Sequence, residues 1–150
     1  MKRVAVTSEA FDVGAEVSKF TTESDGAGAV VSFTGVVRQN EDGDLTKMEI
    51  EHYPQMTERA IEGIVDQAMD RWTLENVLVI HRHGVLELGE AIMMVATASK
   101  HRAEAFAAAE FLMDYLKSRA PFWKKEHGSG EAQWVDARET DEDALNRWKS

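Results

Sequence analysis

The sequence predicts a mixed α+β domain, because segments with the period of a strand alternate with segments that have the period of a helix. Residues 29–38 are rich in β-branched side chains and follow the glycines Gly26 and Gly28. Residues 47–53 alternate apolar and polar side chains, which is the pattern of a strand with one solvated face. From Thr57 onward the apolar period changes to about 3.6 residues, as in an amphipathic helix.

The elements follow in order from these patterns. The first strand ends at Arg38, residues 39–44 form a polar turn, and Pro54 ends the second strand. The helix that begins at Thr57 carries an apolar stripe that reaches Trp72. We predict two further strands over 77–86 and 91–98, joined by a hairpin turn at 87–90.

A second long helix is predicted after these strands. Ser99 is suited to cap its N-terminus, and Pro121 ends it, which places Lys117 in its last turn. The apolar residues Phe106, Ala109, Met113 and Leu116 are expected to share one face of this helix. A short strand over 133–138 and a terminal helical turn over 140–148 complete the chain.

Length and composition favour one domain over residues 1–150 with an ordinary core. No apolar run approaches the roughly 20 residues of a membrane helix, and residues 1–10 do not resemble a signal peptide, so we expect a cytoplasmic protein without membrane contact. The net charge of −10 argues against general nucleic-acid binding, which needs a broad cationic surface. With no cysteine, any sulfur chemistry must use sulfur from another molecule.

Most informative is a concentration of cations around the second long helix of this acidic chain. Such an arrangement suits a substrate that carries phosphate. These residues are Lys100, His101, Arg102, Lys117, Arg119, Lys124 and Lys125.

His101 and Arg102 lie at the start of that helix, where free backbone N–H groups and the helix dipole favour an anion. The Arg102 guanidinium adds a fork that matches phosphate or carboxylate. The alternative is an ordinary solvated helix start.

Lys117 and Lys124 lie on either side of a predicted turn that contains Pro121, Phe122 and Trp123, so both amines can converge on an aromatic pocket. Desolvation beside another cation lowers the pKa of a lysine and makes it usable for acid–base chemistry. The alternative for Lys117 is simple compensation of the helix dipole.

Other polar residues give weaker signals. Arg38 and Arg138 each suit an anion contact or an ordinary ion pair. His81 and His83 alternate on one predicted strand and point to one face, but no third ligand is placed by spacing, so we expect no metal site.

Read together, several segments resemble the large, catalytic subunit of molybdopterin synthase, known as the MoaE family. The matching segments occur in the family's order and cover residues from about 29 to 138. They are 33–38 (FTGVVR), 51–57 (EHYPQMT), 81–90 (HRHGVLELGE), 99–106 (SKHRAEAF), 114–126 (DYLKSRAPFWKKE) and 134–135 (WV).

The resemblance implies an α/β hammerhead-type fold and a homodimer within a heterotetramer. The other partner is a small ubiquitin-like sulfur carrier, whose C-terminal thiocarboxylate delivers sulfur to cyclic pyranopterin monophosphate. Two transfers make the dithiolene of molybdopterin, so the chain is expected to be a sulfurtransferase that needs no cofactor of its own.

Residue by residue, the resemblance implies that Lys117 and Lys124 are the catalytic lysines. Arg38, His101 and Arg102 correspond to the substrate-anion pocket, and Arg138 corresponds to a basic residue that reaches the neighbouring subunit's pocket. We expect Lys117 at the carrier's terminal carbonyl and Lys124 at the negative charge of the substrate.

Two other functions use the same cations. A dimeric module that binds the tail of a carrier protein without chemistry does not need two separately placed lysines. A phosphate-ester hydrolase lacks an evident nucleophile or metal set in this sequence.

Overall fold

The computed structural model describes residues 1–135 and 139–149. Its helices and strands follow one another in the order β1 (Lys2–Thr7), α1 (Val13–Glu23), β2 (Ala29–Val36), β3 (Lys47–His52), α2 (Met56–Arg71), β4 (Asn76–Arg82), β5 (Gly84–Glu87), β6 (Ala91–Ser99), α3 (Arg102–Arg119), β7 (Phe122–His127), β8 (Gln133–Val135) and α4 (Glu139–Ala144), and a 3₁₀ helix, Leu145–Trp148, follows. Among these helices, none is both long enough and apolar enough to span a bilayer.

The strands form two four-stranded sheets. The first has the order β1-β4-β6-β2 and the second has the order β5-β3-β7-β8. All strand pairs are antiparallel except β1 with β4, which is parallel. The predicted α+β class, with packed helices on largely antiparallel sheets, is confirmed.

The strand predicted over 77–86 is two strands that belong to different sheets. β4 ends at Arg82, and Gly84 has a positive φ of 96°, which glycine adopts without steric cost. Beyond it, β5 pairs with β3, whereas β4 pairs with β6. The turn predicted at 87–90 joins β5 to β6, but these strands belong to different sheets and do not pair as a hairpin. The predicted hairpin was wrong in this respect.

The two long helices bury the faces that pack on the sheets. α2 buries Ile61, Ile64, Val65 and Ala68, as the apolar stripe predicted. On the α3 face predicted to hold Phe106, Ala109, Met113 and Leu116, the Phe106 side chain is 60% exposed. The buried residues of α3 include Ala109 and Leu116 from that face, and the full set is Ala105, Ala108, Ala109, Phe111, Leu112 and Leu116.

The start of α3 also differs from the prediction. Ser99 is the last residue of β6, and His101 occupies the N-cap position without a side-chain capping bond. The end is as predicted, because Ala120 is extended, the conformation favoured before a proline.

One apolar core holds the two sheets together. Val79 and Val95 from the first sheet, Ile50 and Leu86 from the second, and Phe111 from α3 all belong to it. This packing fixes α3 and β7, the two elements that carry Lys117 and Lys124, against a common core.

Candidate active site

Lys117 and Lys124 lie on either side of a short joint between two rigid elements. α3 ends at Arg119 and β7 begins at Phe122, so only Ala120 and Pro121 connect them. The predicted turn was wrong for Phe122 and Trp123, which belong to the strand. Because side chains alternate along a strand, Phe122 and Lys124 share one face of β7 and Trp123 lies on the other.

The Lys117 ammonium acts electrostatically on the Lys124 amine. Burial lowers the pKa of Lys124 to about 8, and the neighbouring Lys117 ammonium contributes to this shift. Asp141 opposes it. A lysine amine with a pKa near 8 can take up and release a proton close to neutral pH, as an acid–base or electrostatic group needs to do. The effect of Lys117 on the pKa of Lys124 therefore supports the predicted convergence of these amines.

A buried imidazole lies next to the lysines. The His81 ring stacks on Phe122 with a centroid distance of 3.7 Å. Its Nδ1–H donates to the Arg82 carbonyl at 2.8 Å, because a carbonyl can only accept. Burial is the main cause that lowers the pKa of His81 to about 3, and the charges of Lys124 and Lys117 add to it. His81 is thus neutral at physiological pH.

His83, which the sequence predicts to point to the same face as His81, lies just beyond the end of β4. His83 lies between β4 and β5, and its ring stacks on His52 at 4.0 Å. The charge of His83 also contributes to the lowered pKa of His81. Within residues 1–135 and 139–149, no three histidine or acidic side chains come together as a metal site would require.

Arg38 lies at the same end of the first sheet as the lysines. β2 pairs Val36 with Ala91 and Ala29 with Ser99, so Arg38 follows the end of β2 next to the start of β6. His81 pairs with Met93 close to that end. Arg38 is exposed there, and it can contribute its guanidinium to an anion held near the lysines.

His101 and Arg102 lie at the opposite end of α3. Lys117 follows Arg102 by fifteen residues on one continuous helix, which separates their Cα atoms by about 22 Å along the axis. The cations that the sequence concentrates around α3 therefore form two groups. Within one chain, these two groups do not surround one small ligand.

The candidate site residues differ from several other arginines of the chain in their distance from carboxylates. Arg82, Arg119 and Arg147 each lie within 4.0 Å of a carboxylate. Within the part of the chain that the structure describes, no such ion pair is found for Arg38, His101, Arg102, Lys117 and Lys124. In a chain of net charge −10, cations without a carboxylate partner suit an anionic ligand. Arg138 lies outside the described residues.

Three exposed aromatic rings lie on the other side of the second sheet. Tyr53, Trp123 and Trp134 line an open groove of about 420 Å³ together with Glu51 and His52. Since Trp123 and Lys124 alternate on β7, this groove does not form the wall of the lysine site. Phe122 is the aromatic residue that the lysine site contains.

Sequence reasoning missed one residue at the joint. The buried hydroxyl of Thr57 donates to the carbonyl of Pro121 at 3.0 Å, which ties α2 to the link between α3 and β7. Thr57 lies within the segment 51–57 that matched the family pattern, but nothing in the sequence indicates a contact with Pro121, which is 64 residues away.

Comparison with known protein families gives a direct match. The sequence profile described as "MoaE protein" matches residues 6–119 of this chain. The molybdopterin synthase catalytic subunit of Cereibacter sphaeroides is 64% identical over 146 residues, which cover 97% of this chain and 99% of that protein.

Solved structures agree with the sequence match. The molybdopterin biosynthesis MoaE protein from Burkholderia ambifaria has a TM-score of 0.85 at 45% identity, covering 100% of this chain and 99% of that chain. Molybdopterin synthase from Staphylococcus aureus has a TM-score of 0.80 at 28% identity, covering 88% of this chain and 96% of that chain. The similarity in sequence and in fold extends over nearly the whole chain.

Proposed function

The chain belongs to the MoaE protein family, and we propose that Lys117 and Lys124 form the centre through which it acts as the catalytic subunit of molybdopterin synthase. The reaction transfers two sulfur atoms to cyclic pyranopterin monophosphate and so forms the dithiolene of molybdopterin. The donor is a small ubiquitin-like carrier that bears a C-terminal thiocarboxylate. A chain without cysteine suits this chemistry, since the sulfur arrives on the partner.

The observation that carries the proposal is the meeting of two lysines at one joint. The pKa of Lys124 is lowered to about 8 by burial and by Lys117, so the two amines lie within electrostatic reach of each other. A positively charged, partly desolvated centre stabilises negative charge far better than an exposed lysine does. Both the thiocarboxylate and the cyclic phosphate bring such charge.

We assign different roles to the two amines. Lys117 is exposed at the end of α3, where it can meet the terminal carbonyl of the carrier. Lys124 stabilises negative charge on the substrate during sulfur attack and opening of the cyclic phosphate. In each transfer a bond forms between sulfur and a substrate carbon, and a carbon–oxygen bond of that carbon breaks. The phosphate oxygen leaves in one transfer, which opens the cyclic phosphate, and the oxygen leaves as water in the other. The bond between sulfur and the acyl carbon of the carrier breaks as well. Water supplies the oxygen atom that replaces this sulfur, so the carrier ends with a C-terminal carboxylate.

The remaining cations bind the substrate in this proposal. Arg38 lies at the lysine end of the sheet and serves the same pocket. His101 and Arg102 lie about 22 Å from Lys117 along α3, so we propose that they serve the pocket of the second protomer of a homodimer. Arg138, which corresponds to a residue reaching the neighbouring pocket, is assigned to the same group.

The cytoplasm is the compartment we propose for this activity. The support is the absence of cysteine, because proteins of oxidising compartments commonly use disulfides.

A direct test mixes the purified chain with cyclic pyranopterin monophosphate and a thiocarboxylated carrier, and follows product formation by mass spectrometry. The dithiolene product with the parent chain, and its loss with Lys117→Ala, is the expected result. Carrier binding without any sulfur transfer by the folded parent chain would favour a binding module instead. Sulfur transfer retained by Lys117→Ala would remove Lys117 from its assigned role.

A further inference from the structure

The joint between the two lysines is held from outside by a side chain of another helix. We propose that Thr57 is a positioning residue, whose hydroxyl fixes the Pro121 carbonyl and thereby the placement of Lys124 relative to Lys117. This inference rests on the proposed function, because it concerns the same centre. It assigns to Thr57 no contact with the carrier or the substrate.

The hydrogen bonds of Thr57 leave its hydroxyl only one arrangement. Its oxygen accepts the backbone N–H of Tyr53 at 2.9 Å, and its own hydrogen goes to the Pro121 carbonyl at 3.0 Å. The backbone N–H of Thr57 also donates to the Tyr53 carbonyl at 2.8 Å. With zero exposure of the residue, no water competes for these bonds.

The anchor itself is rigid. Thr57 lies in the first turn of α2, and the preceding Gln55 has a φ of 71°, unusual for a residue other than glycine. The Gln55 backbone N–H donates to Glu58 at 2.6 Å and closes the capping box. The Thr57 hydroxyl therefore belongs to a well-ordered helix start, and its position restrains the Pro121 carbonyl.

The joint itself, Ala120 and Pro121, lies outside the pairing of β7 with β3, which begins at Phe122. Pro121 has no N–H to offer, and the Phe122 N–H donates to the carbonyl of Ala120, its near neighbour, at 2.9 Å. The hydrogen bond from the Thr57 hydroxyl thus links the main chain of this joint to a residue that is distant in sequence. His81, which belongs to the first sheet, stacks on Phe122, the residue that follows Pro121. Lys124 follows Phe122 by two residues on the same face of β7.

A small displacement of the joint would change the chemistry. The ammonium of Lys117 and the partly buried amine of Lys124 are attached to its two sides. Positional errors of about 1 Å in a reacting group can cost large factors in rate. Loss of the Thr57 bond should therefore lower the rate of sulfur transfer without a matching loss of carrier binding.

The test compares Thr57→Val with Thr57→Ser and with Ser24→Ala. Ser24 is a matched control, because its buried hydroxyl also donates to one carbonyl, that of Phe20, and accepts one N–H, from Asn76. It lies beside the start of β4, whereas His81, which adjoins the lysine site, lies near the other end of that strand. Each variant is titrated by NMR with ¹³C-labelled lysine, with Lys124→Gln used to assign the Lys124 signal, and then assayed for sulfur transfer.

We expect Thr57→Val to raise the pKa of Lys124 from about 8 toward 10.5, because the amine becomes less buried and lies farther from Lys117. The maximal rate of sulfur transfer should fall about tenfold with carrier affinity unchanged. Thr57→Ser should restore both, and Ser24→Ala should change neither.

A folded Thr57→Val chain with the parent pKa of Lys124 and the parent rate would overturn the inference. Equal effects of Ser24→Ala and Thr57→Val on both readouts would overturn it as well. If the parent chain transfers no sulfur, the proposed function fails, whereas the titration of Lys124 without carrier or substrate still decides the part of Thr57.

Discussion

The ring of His81 lies flat against the ring of Phe122, with centroids 3.7 Å apart and planes inclined by 14°. His81 belongs to the first sheet and Phe122 begins the strand of the second sheet that carries Lys124. This stack joins the two sheets beside the lysines, and it does so with a ring that remains neutral. The joint of the active site is thus part of the packing between the sheets.

The buried His81 predicts a stability that falls in mild acid. Its pKa is about 3 in the folded chain and 6.5 when solvated, so below pH 6.5 the unfolded chain binds a proton that the folded chain does not. Stability is therefore lost as pH falls from 6.5 toward 3. By pH 5 this group alone should cost about 2 kcal/mol of unfolding free energy.

The measurement is denaturant unfolding of the parent chain and of His81→Phe at pH 7 and pH 5. The phenyl ring preserves a stack on Phe122 but cannot titrate, so this variant should lose about 2 kcal/mol less than the parent between the two pH values. An unchanged dependence in His81→Phe would contradict the assignment.

Lys117 should control the protonation of Lys124. In Lys117→Met the repelling ammonium is gone, so the pKa of Lys124 should rise above about 8, while burial keeps it below 10.5. Lys117→Arg retains the positive charge and should leave the pKa near its parent value. The NMR titration of ¹³C-labelled lysine measures both, and an unchanged pKa in Lys117→Met would show that the amines are not coupled.

Mixing two inactive variants tests whether Arg102 and Lys124 act together across protomers. In a mixed dimer of Arg102→Ala and Lys124→Ala, one composite pocket has both native residues if each pocket takes them from different chains. Random reassembly should then restore about a quarter of the parent's activity, because half the dimers are mixed and each has one active pocket. No recovery in verified mixed dimers would place both residues in the pocket of one chain.

Gly28 should be sensitive to the smallest side chain. A Cβ at this position would lie 2.5 Å from the Lys100 carbonyl oxygen, which the backbone cannot relieve without moving the turn that leads to His101. Gly28→Ala should cost about 1–3 kcal/mol in stability. Gly63→Ala, inside α2 with open space at its Cβ, should stabilise the chain by about 1 kcal/mol. Equal unfolding free energies for the two variants would contradict the close approach at Gly28.

The sequence predicted those elements whose patterns are local. The stripe of α2, the alternation of β3 and the stop at Pro121 depend on residue periodicity and on the geometry of proline, and all three were found. β1 and α1 were not predicted, although Asp12 caps α1 by accepting the Ala15 N–H at 2.9 Å. The strand break at His83 was missed because a positive φ at Gly84 directs the chain to the other sheet, which periodicity does not reveal.

In the candidate site, too, the features that could be predicted are those that depend on the sequence locally. The cations could be selected from charge and from resemblance, and Lys117 and Lys124 were expected to converge. Their mutual spacing could not be predicted, because it depends on Thr57 and His81, which reach the joint from distant parts of the chain. The separation of Arg102 from Lys117 follows from helix length alone and could have been calculated from the sequence.

The most direct test of the central claim is the intact mass of the carrier after a single turnover with stoichiometric enzyme and cyclic pyranopterin monophosphate. The parent chain should convert the thiocarboxylate to a carboxylate only when substrate is present. Lys124→Met should leave the thiocarboxylate intact while still binding the carrier. Conversion by Lys124→Met at the parent's rate would contradict a sulfur-transfer centre built on Lys117 and Lys124.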